Sequence, residues 1–463
     1  MAVSAGFIQA SGWRSGHHKA LPHHCPSPAR MAILLLALAL AGGCATAPPE
    51  PEITVMPAGP GEVEVLFELD RQVEALEFEH PADEIRRRQW QLLDKELLLQ
   101  HDAIRSGQRQ RFDSVRIRIE SDRHPVHREY PPLIEFADGG MALHTRYLKQ
   151  AGSEQTLFRV EAGDWHAALP GGENDEGRVL RAHDPERPRG SWLYLGPQAP
   201  SETDFGLLVS DPALPEALRK LVREGLEQAH AFFSERMGAR EAPLLALAHH
   251  ESAEAPALHG DFSAGPALRL AFAGPLEPNA SESPQWDQKA LLRFIAHETG
   301  HRWNADLVTP NVAGGGSWMV EGSSELFAIR FLESRGKFSG EAVKEEYEQA
   351  LAHCSGVIET RPLAAISPLE PDYGAHYSCG MLFSLMTEAA FEPGDIFDFW
   401  QYLNHFFHEA DDYDQSHYLG LLAEYGGARM ADRIASIVTD QDADRKALLR
   451  EGLAEVTCFD EGC

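Results

Sequence analysis

The sequence predicts an α+β chain of several domains, in which a β-rich region is followed by a mixed α/β region and then by a helical region. Three observations support this order. Apolar and polar residues alternate over residues 63–200, which is the period of half-buried strands. Residues 201–340 begin with a long amphipathic pattern and two strand-like apolar runs. From residue 286 onwards, nearly every segment has the three-and-four spacing of a helix face, so residues 341–463 are predicted to be helical.

The first region is expected to form a β-sandwich-like N-terminal domain over residues 63–200. Apolar side chains on every second residue are typical of antiparallel strands that bury one face. A helix is predicted to interrupt these strands at residues 82–100. The strand patterns lie at residues 63–69, 115–119, 157–160 and 192–195.

The remaining two regions contain most of the predicted helices. Apolar residues at positions three and four apart indicate helices that each bury one face. Two short apolar runs in the mixed region, at residues 244–248 and 268–273, are predicted to be strands. The helices are predicted at residues 213–237, 286–304, 319–335, 341–353 and 377–391, with further helical segments down to residue 456.

The N-terminus has the features of an export signal. Residues 32–41 form an apolar run that is too short to span a bilayer, and Arg30 precedes it. A basic residue, a short apolar stretch and small residues at a cleavage point together indicate secretion. Residues 1–44 are therefore predicted to be a signal segment, and the Pro-, Ala- and Glu-rich residues 45–62 a linker.

The end of this signal resembles the bacterial lipobox. The run is Leu40-Ala41-Gly42-Gly43-Cys44, with Ala41 where the lipobox usually has leucine. The resemblance implies that Cys44 is lipidated and that a lipid anchor holds the chain to a membrane. The expected location is the bacterial cell envelope, on the periplasmic or outer membrane face. Ordinary signal cleavage near the same place is the alternative.

The charge of the chain argues against nucleic acid as a partner. Lysine and arginine number 41 against 71 aspartates and glutamates, which gives a net charge of −30. Such a surface repels phosphate backbones, so nucleic acid is not expected as a partner.

The cysteines point to disulfides in an oxidising compartment. With Cys44 acylated and Cys25 in the signal, four cysteines remain, and three pairings are open among them. Cys458 with Cys463 and Cys354 with Cys379 is one of these pairings. Free buried thiols are the alternative.

The strongest functional signal is an H-E-x-x-H motif, His297-Glu298-Thr299-Gly300-His301, at the end of a predicted helix. Histidines four residues apart project from one helix face, so both imidazoles can reach one zinc ion at about 2.0–2.1 Å. Glu298 lies about 100° further round the helix, where it can act as a general base. A surface helix with two ordinary histidines is the alternative interpretation.

A second predicted helix supplies carboxylates at a suitable distance along the chain. Glu321 lies near the start of this helix and Glu325 follows one turn later. Two histidines and Glu321 would leave one coordination position of zinc open, which is the catalytic arrangement. Glu325 is expected to accept a hydrogen bond from the second ring nitrogen of a ligand histidine, His297.

Together these motifs resemble the gluzincin zinc metallopeptidases, in particular the aminopeptidase N and glycyl aminopeptidase families. The match covers residues 291–332, where H-E-x-x-H is followed by Trp-x-x-Glu-Gly-x-x-x-Glu. The run His301-Arg302-Trp303-Asn304 is similar to the H-x-W-N of the glycyl aminopeptidases. The resemblance implies a thermolysin-like catalytic domain over residues 201–340 and one zinc ion per chain.

The spacing of the motif differs from the family in one respect. Aminopeptidase N relatives have eighteen residues between the second histidine and the glutamate, whereas residues 302–320 make nineteen. The glycine run at residues 314–316 is expected to absorb the extra residue in a loop, so Glu321 remains the expected third ligand.

A further resemblance concerns the oxyanion donor. The run Tyr377-Ser378-Cys379-Gly380 is similar to the family's Y-x-K-G helix start, with Cys379 in the place of the lysine. The resemblance implies that Tyr377 donates a hydrogen bond to the oxyanion, a task that suits a neutral phenol. His376 is the alternative donor, and a tyrosine packed in the core is the plain structural alternative.

One family element is missing. Aminopeptidase N enzymes carry G-x-M-E-N before the zinc helix, and its glutamate holds the free amine of the substrate. The corresponding stretch is expected at residues 263–270, which contain no carboxylate. Arg269 lies there and is interpreted as an ordinary strand arginine, with recognition of an acidic or C-terminal group as the alternative.

The expected activity is hydrolysis of a peptide or protein substrate by a zinc metallopeptidase in the cell envelope. Glu298 is the expected base and Tyr377 the expected oxyanion donor. Two alternatives remain open at this point. One is a catalytically silent fold that binds peptides or an envelope partner, which the missing glutamate motivates. The other is a zinc hydrolase that acts on a substrate other than a peptide.

Overall fold

The computed structural model describes most of the chain between residues 52 and 456. The signal segment, Cys44, Cys458 and Cys463 lie outside the described residues. Residues 50–463 form one compact unit. The structure describes residues 52–456 except 109, 122–130, 154–155, 176–178, 184–189, 264–265, 276–286, 306–308, 311–315, 368, 393 and 408–411.

The N-terminal part consists of strands and one short helix. Residues that alternate between buried and exposed positions, as in Glu62–Phe67, form these strands because one face packs on the core. The strands are β1 (Glu52–Gly59), β2 (Glu62–Val73), β3 (Ala75–Glu77), β4 (Trp90–Leu92), β5 (Leu97–Gln100), β6 (Ala103–Ser106), β7 (Phe112–Glu120), β8 (Leu133–Glu135), β9 (Met141–His144), β10 (Leu157–Glu161), β11 (His166–Ala168), β12 (Glu173–Asp175), β13 (Val179–His183) and β14 (Trp192–Gly196); the helix is α1 (Asp83–Gln89).

These strands form layered sheets. One sheet has the order β12-β13-β10-β1-β2-β7-β4, a second β11-β14-β9-β8, and a third β3-β6-β5. Antiparallel pairs dominate, and β1 runs parallel to β10. A core of valine, isoleucine, leucine and phenylalanine side chains, among them Ile53, Val65 and Leu193, lies between the layers. This arrangement agrees with the sandwich-like prediction.

The helix predicted at residues 82–100 is wrong beyond residue 89. It ends at Gln89, and Trp90 and Leu92 pair with Ile119 and Ile117 of β7. The leucines that follow lie on β5, where buried and exposed residues alternate. Pairing with existing strands outweighs local helix propensity here, because it buries Trp90 in the core.

The middle of the chain holds a mixed sheet with helices on it. The sheet order is β15-β16-β17-β19-β18, and β18 is an edge strand that runs antiparallel to β19. The first helix of this part buries leucine, valine and phenylalanine side chains spaced three and four apart. The elements are β15 (Ser201–Thr203), β16 (Gly206–Ser210), α2 (Glu216–Met237), β17 (Leu244–Glu251), β18 (Ala257–Ser263) and β19 (Ala267–Ala273).

The rest of the described chain is helical apart from two short strands. α3 begins where the Asp287 carboxylate accepts a hydrogen bond from the Ala290 N–H at 3.2 Å. The elements are α3 (Gln288–Asn304), β20 (Thr309–Pro310), α4 (Ser317–Ser334), α5 (Gly340–Ile358), α6 (Ala375–Ala390), α7 (Ile396–Phe407), β21 (Asp412–Tyr413), α8 (Gln415–Leu422), α9 (Ala428–Thr439) and α10 (Arg445–Leu453).

α3 lies between the sheet and the helical core, and this position explains its apolar sequence. Leu291 and Ile295 pack on the side chains of the mixed sheet. Ala296 and Trp303 join the core formed by the later helices. Because both faces are covered, polar side chains near the end of α3 are enclosed rather than solvated.

The predicted fold class is confirmed: the chain is α+β, with β-rich, mixed and helical parts in the expected order. The exact boundaries proposed at residues 200 and 340 remain predictions. No helix among the described residues is long and apolar enough to cross a membrane.

Candidate metal centre

The last turns of α3 bring the H-E-x-x-H residues into the protein interior. His297, Glu298 and His301 are all buried, with exposed fractions of 5%, 8% and 7%. The two histidine rings lie on one face of the helix, with their centroids 4.8 Å apart. A surface helix with ordinary histidines is therefore excluded.

Glu321 of α4 completes a triangle with the two histidines. The Nε2 atoms of His297 and His301 are 3.2 Å apart. The Glu321 Oε2 atom lies 3.3 Å from Nε2 of His297 and 3.4 Å from Nε2 of His301. Two ligands of a tetrahedral zinc ion, each at about 2.0–2.1 Å from the metal, are about 3.3 Å apart. The three atoms thus lie at the corners of one face of a zinc tetrahedron.

The fit of this donor set to a metal is supported by its chemistry as well as by its spacing. Among the described residues, His297, His301 and Glu321 form the one group of three potential ligands whose donor atoms are close enough to hold a metal ion. Two imidazoles and one carboxylate are the ligands of catalytic zinc sites that keep one position open. The additional residue between His301 and Glu321 does not displace the glutamate.

Glu325, one turn after Glu321, contacts the other side of the His297 ring. Its Oε1 atom lies 3.2 Å from Nδ1 of His297, which leaves Nε2 directed at the triangle. Arg293 donates to the second oxygen of Glu325 at 2.6 Å and also contacts Glu346. Burial alone would raise the pKa of Glu325, but His297 and Arg293 lower it to about 2. Glu325 is therefore a carboxylate that fixes the orientation of His297.

His301 is oriented by two neutral side chains. Its Nδ1 atom lies 3.2 Å from Oδ1 of Asn304 and 3.1 Å from Oγ of Ser324. The Asn304 amide is itself held, because it donates to the Val320 carbonyl at 2.8 Å and to Ser324 at 2.9 Å. A hydrogen bond at Nδ1 places the lone pair of the histidine on Nε2, which is the atom that faces Glu321.

The Asn304→Ala variant is expected to weaken metal binding while leaving the fold intact. Without the amide, His301 loses a partner that fixes its ring and its tautomer. Loss of such a partner costs about 10–100-fold in metal affinity. Competition with a chromogenic chelator would measure the change, with His166→Ala on the exposed edge of β11 as the control. Unchanged affinity in Asn304→Ala would show that Asn304 does not orient His301.

Glu298 is enclosed between the metal triangle and strand β18. A Cβ atom at Gly260 of β18 would lie 2.2 Å from the Glu298 carboxyl carbon, so this carboxyl group occupies the space that the glycine leaves open. Burial raises the pKa of Glu298 to about 7, against the opposing effect of His297 and His301. A carboxylate with a raised pKa beside the metal position is suited to accept and release protons.

Tyr377 of α6 lies beside the His297 ring. Its ring stacks on the His297 ring with centroids 5.7 Å apart and an angle of 21° between the planes. The negative charge of Glu321, followed by burial and the charge of Glu298, raises the pKa of Tyr377 well above its usual value. The phenol therefore stays protonated and can donate a hydrogen bond near the metal position.

His376, the alternative donor, is fully buried against Tyr373, with ring centroids 4.8 Å apart. The wall of the cleft beside the metal triangle includes His297, Glu298 and Tyr377 but not His376. The structure thus brings Tyr377, and not His376, to the candidate site.

Arg269 lies on β19, and its guanidinium group is already paired with carboxylates of the protein. It pairs with Asp261 of β18 and donates to Glu251 at 2.9 Å, with its side chain 9% exposed. The Trp192 indole N–H also donates to Asp261, at 3.1 Å. Arg269 is therefore a structural strand arginine. The strand beside Glu298 is β18, residues 257–263, and not the stretch 263–270 assumed from the sequence.

Several residues of the site carry no signal that the sequence analysis used. Asn304 lies within the H-x-W-N run, which gave a resemblance but no role for the asparagine. Ser324, Gly260 and Arg293 act only through contacts with distant parts of the chain. Such contacts follow from the packing of α3 on α4 and β18, which no local pattern reveals.

Comparisons with known proteins extend this description. No protein-family model matches the chain, and no curated protein matches it by sequence. An aminopeptidase N family protein from Idiomarina loihiensis has a similar structure, with a TM-score of 0.65, 12% identity, and coverage of 87% of this chain and 78% of that one. Yeast leukotriene A4 hydrolase also matches, with a TM-score of 0.51, 11% identity, and coverage of 88% and 72%.

These likenesses concern the fold. The fold agrees with the resemblance that the sequence motifs imply, because the matched structures span most of the chain and one of them is an aminopeptidase N family protein. The chain therefore has the fold of that protein.

Proposed function

We propose that this protein is a zinc metallopeptidase that hydrolyses peptide bonds. The observation that carries the proposal is the triangle of His297, His301 and Glu321, whose edges of 3.2–3.4 Å match one face of a zinc tetrahedron. A buried carboxylate, Glu298, and a partly buried phenol, Tyr377, flank this triangle. A purely structural metal site needs neither of them, whereas hydrolysis needs both a base and an oxyanion donor.

The chemistry divides among the residues as follows. A bound zinc ion would polarise the scissile carbonyl and lower the pKa of an attacking water to about 7. Glu298 accepts the proton of that water and passes it to the leaving amine, so that the amine departs neutral. The Tyr377 hydroxyl donates a hydrogen bond to the oxygen on which negative charge develops. Glu325 and Asn304 keep the two imidazoles in place throughout.

A peptide substrate is supported by the cleft around the site. Polar and apolar side chains from the β-rich part, the mixed sheet and α3 to α6 line this cleft. Among the described strands, β18 is an edge of the mixed sheet and lies beside Glu298, and such an edge suits an extended chain. The carboxylate of this strand, Asp261, is engaged by Arg269 and Trp192. The proposal therefore does not specify hydrolysis at a free N-terminus.

Hydrolysis of a mixed peptide library by the purified chain tests the proposal. We expect cleavage products that appear with the wild type, disappear after removal of metal and return when zinc is added. The Glu298→Gln protein serves as the control for contaminating peptidases. Intact peptides in the presence of a zinc-loaded, folded wild type would contradict a peptidase. In that case a screen of ester and amide substrates would test the remaining possibility of a different hydrolase.

We also propose that the chain is exported and anchored through a lipid on Cys44. The proposal is supported by the signal pattern over residues 1–44 and the resemblance of its end to a lipobox. Radiolabelled palmitate is expected to be incorporated by the wild type in bacterial cells and not by Cys44→Ser. Labelling of both proteins, or of neither, would contradict lipidation at this residue.

A further inference from the structure

A disulfide joins two helices immediately behind the candidate site. Cys354 of α5 and Cys379 of α6 are bonded, and both side chains are fully buried. The sequence left three pairing schemes open for four cysteines. The bond between Cys354 and Cys379 belongs to one of these schemes, and the other two cysteines lie outside the described residues. Cys379 lies two residues after Tyr377 and occupies the position at which the resembling families have a lysine.

The neighbouring residues form a second connection between the same two helices. Nδ1 of His353 lies 2.9 Å from Oγ of Ser378. His353 and Ser378 directly precede the two cysteines, so consecutive residues on each helix are linked in parallel. Gly374, at the start of α6, faces the same histidine, and a side chain there would come within 3.3 Å of it. The first turn of α6 is thus tied to α5.

The opposite face of this turn is packed against α4. A Cβ atom on Gly322 would lie 2.0 Å from the Gly380 carbonyl carbon, and one on Gly380 would lie 2.2 Å from the Trp318 carbonyl oxygen. The two helix backbones therefore touch through a pair of glycines. Gly322 directly follows the metal ligand Glu321. The turn that carries Tyr377 is consequently held between α4 on one side and α5 on the other.

We propose that the Cys354–Cys379 disulfide positions Tyr377 for its role in catalysis. α4 has close backbone contact with α6, and the disulfide is the covalent bond that ties the same turn to α5 and so helps to hold Tyr377 beside His297. An oxyanion donor must stay within about 0.5 Å of its productive position to be effective. This inference rests on the proposed function.

A disulfide that only stabilises the fold can be distinguished from one that positions Tyr377. Any cross-link that closes a loop of 25 residues restricts the unfolded chain, so its loss lowers the melting temperature whatever its role. A lower melting temperature therefore does not distinguish the two cases. A dependence of the effect on the Tyr377 hydroxyl does distinguish them, because only a positioning role acts through that group.

The test is a double-mutant cycle between the disulfide and the phenol. Cys354→Ala/Cys379→Ala is made in the wild-type and in the Tyr377→Phe backgrounds, and kcat and KM are measured on a peptide substrate. We expect kcat to fall roughly 10–100-fold in the wild-type background at nearly constant KM, as for a displaced catalytic group. In the Tyr377→Phe background we expect less than a twofold change. An equal loss in both backgrounds, or no loss in either, would overturn the proposal.

A second measurement does not depend on activity. Hydrogen exchange of residues 375–380 is expected to accelerate when the disulfide is removed, whereas residues 288–304 of α3 keep their protection. Thr387→Ala, which removes the 3.0 Å hydrogen bond from Tyr418 at the far end of the same helix, is the control and should leave residues 375–380 unchanged. Unaltered exchange at residues 375–380 in the disulfide variant would overturn the proposal even if the wild type hydrolyses no peptide.

A milder variant covers the case in which the double cysteine variant does not fold. His353→Ala keeps the disulfide and removes the parallel link to Ser378. We expect a smaller fall in kcat, again absent in the Tyr377→Phe background. A loss that persists in that background would count against positioning through Tyr377.

Discussion

Glu298→Gln is expected to abolish peptide hydrolysis while the protein retains its metal. Glutamine has nearly the same shape, so the contact with Gly260 and the packing of α3 should persist. An amide, however, cannot accept a proton at neutral pH. Removal of a general base costs about 10²–10⁴-fold in rate. Of the two non-ligand carboxylates beside the triangle, Glu325 is paired with His297 and Arg293, whereas burial raises the pKa of Glu298 to about 7.

The measurement compares kcat and metal content on the same preparation. Glu348→Gln is the matched control, since it makes the same chemical change at an exposed position on α5. We expect Glu348→Gln to match the wild type in both respects. Turnover by Glu298→Gln within tenfold of the wild type would exclude Glu298 as the base. Loss of metal from Glu298→Gln would show that Glu298 is a ligand.

Tyr377→Phe is expected to lower kcat by about 10²–10³-fold with little change in KM. The substitution removes only the hydroxyl and keeps the ring that stacks on His297. The nearby negative charges and burial keep this phenol protonated, so it is a donor throughout the neutral pH range. A donor to the oxyanion acts mainly in the transition state, and its loss therefore appears in kcat.

The same experiment separates Tyr377 from the other interpretations. A tyrosine that only packs in the core would affect stability rather than turnover, so the melting temperature is measured beside kcat. A Tyr377→Phe enzyme that retains more than half of the wild-type kcat would contradict the proposed role. His376 would then be the next donor to examine, although the structure places it outside the wall of the cleft.

The positions of the two candidate histidine ligands could be predicted from the sequence because their geometry is local. His297 and His301 are one turn apart on a single helix, so the spacing alone places both imidazoles together. Glu321 is different, since it lies on another helix and its distance from the histidines does not follow from local spacing. The structure brings it within 3.4 Å of both histidines even though the chain has one residue more than the family pattern.

The surroundings of the ligands could not be predicted in the same way. Ser324 contacts His301 because α4 packs against α3. Gly260 contacts Glu298 because the edge strand β18 lies beside α3. The error at residues 90–100 has a related origin. A helix is predicted there, whereas Trp90–Leu92 pair with β7 and Leu97–Gln100 pair with β6, so the segment forms two strands.

The metal content of the purified protein, measured beside a His301→Ala variant, tests the proposed site most directly. His301→Ala removes one corner of the triangle, and His166→Ala provides an exposed histidine as the control. We expect about one zinc ion per chain in the wild type and in His166→Ala, and none in His301→Ala. A folded wild type that takes up no zinc after incubation with the metal would contradict the proposed centre. The cleft would then have to be explained as a binding site without metal chemistry.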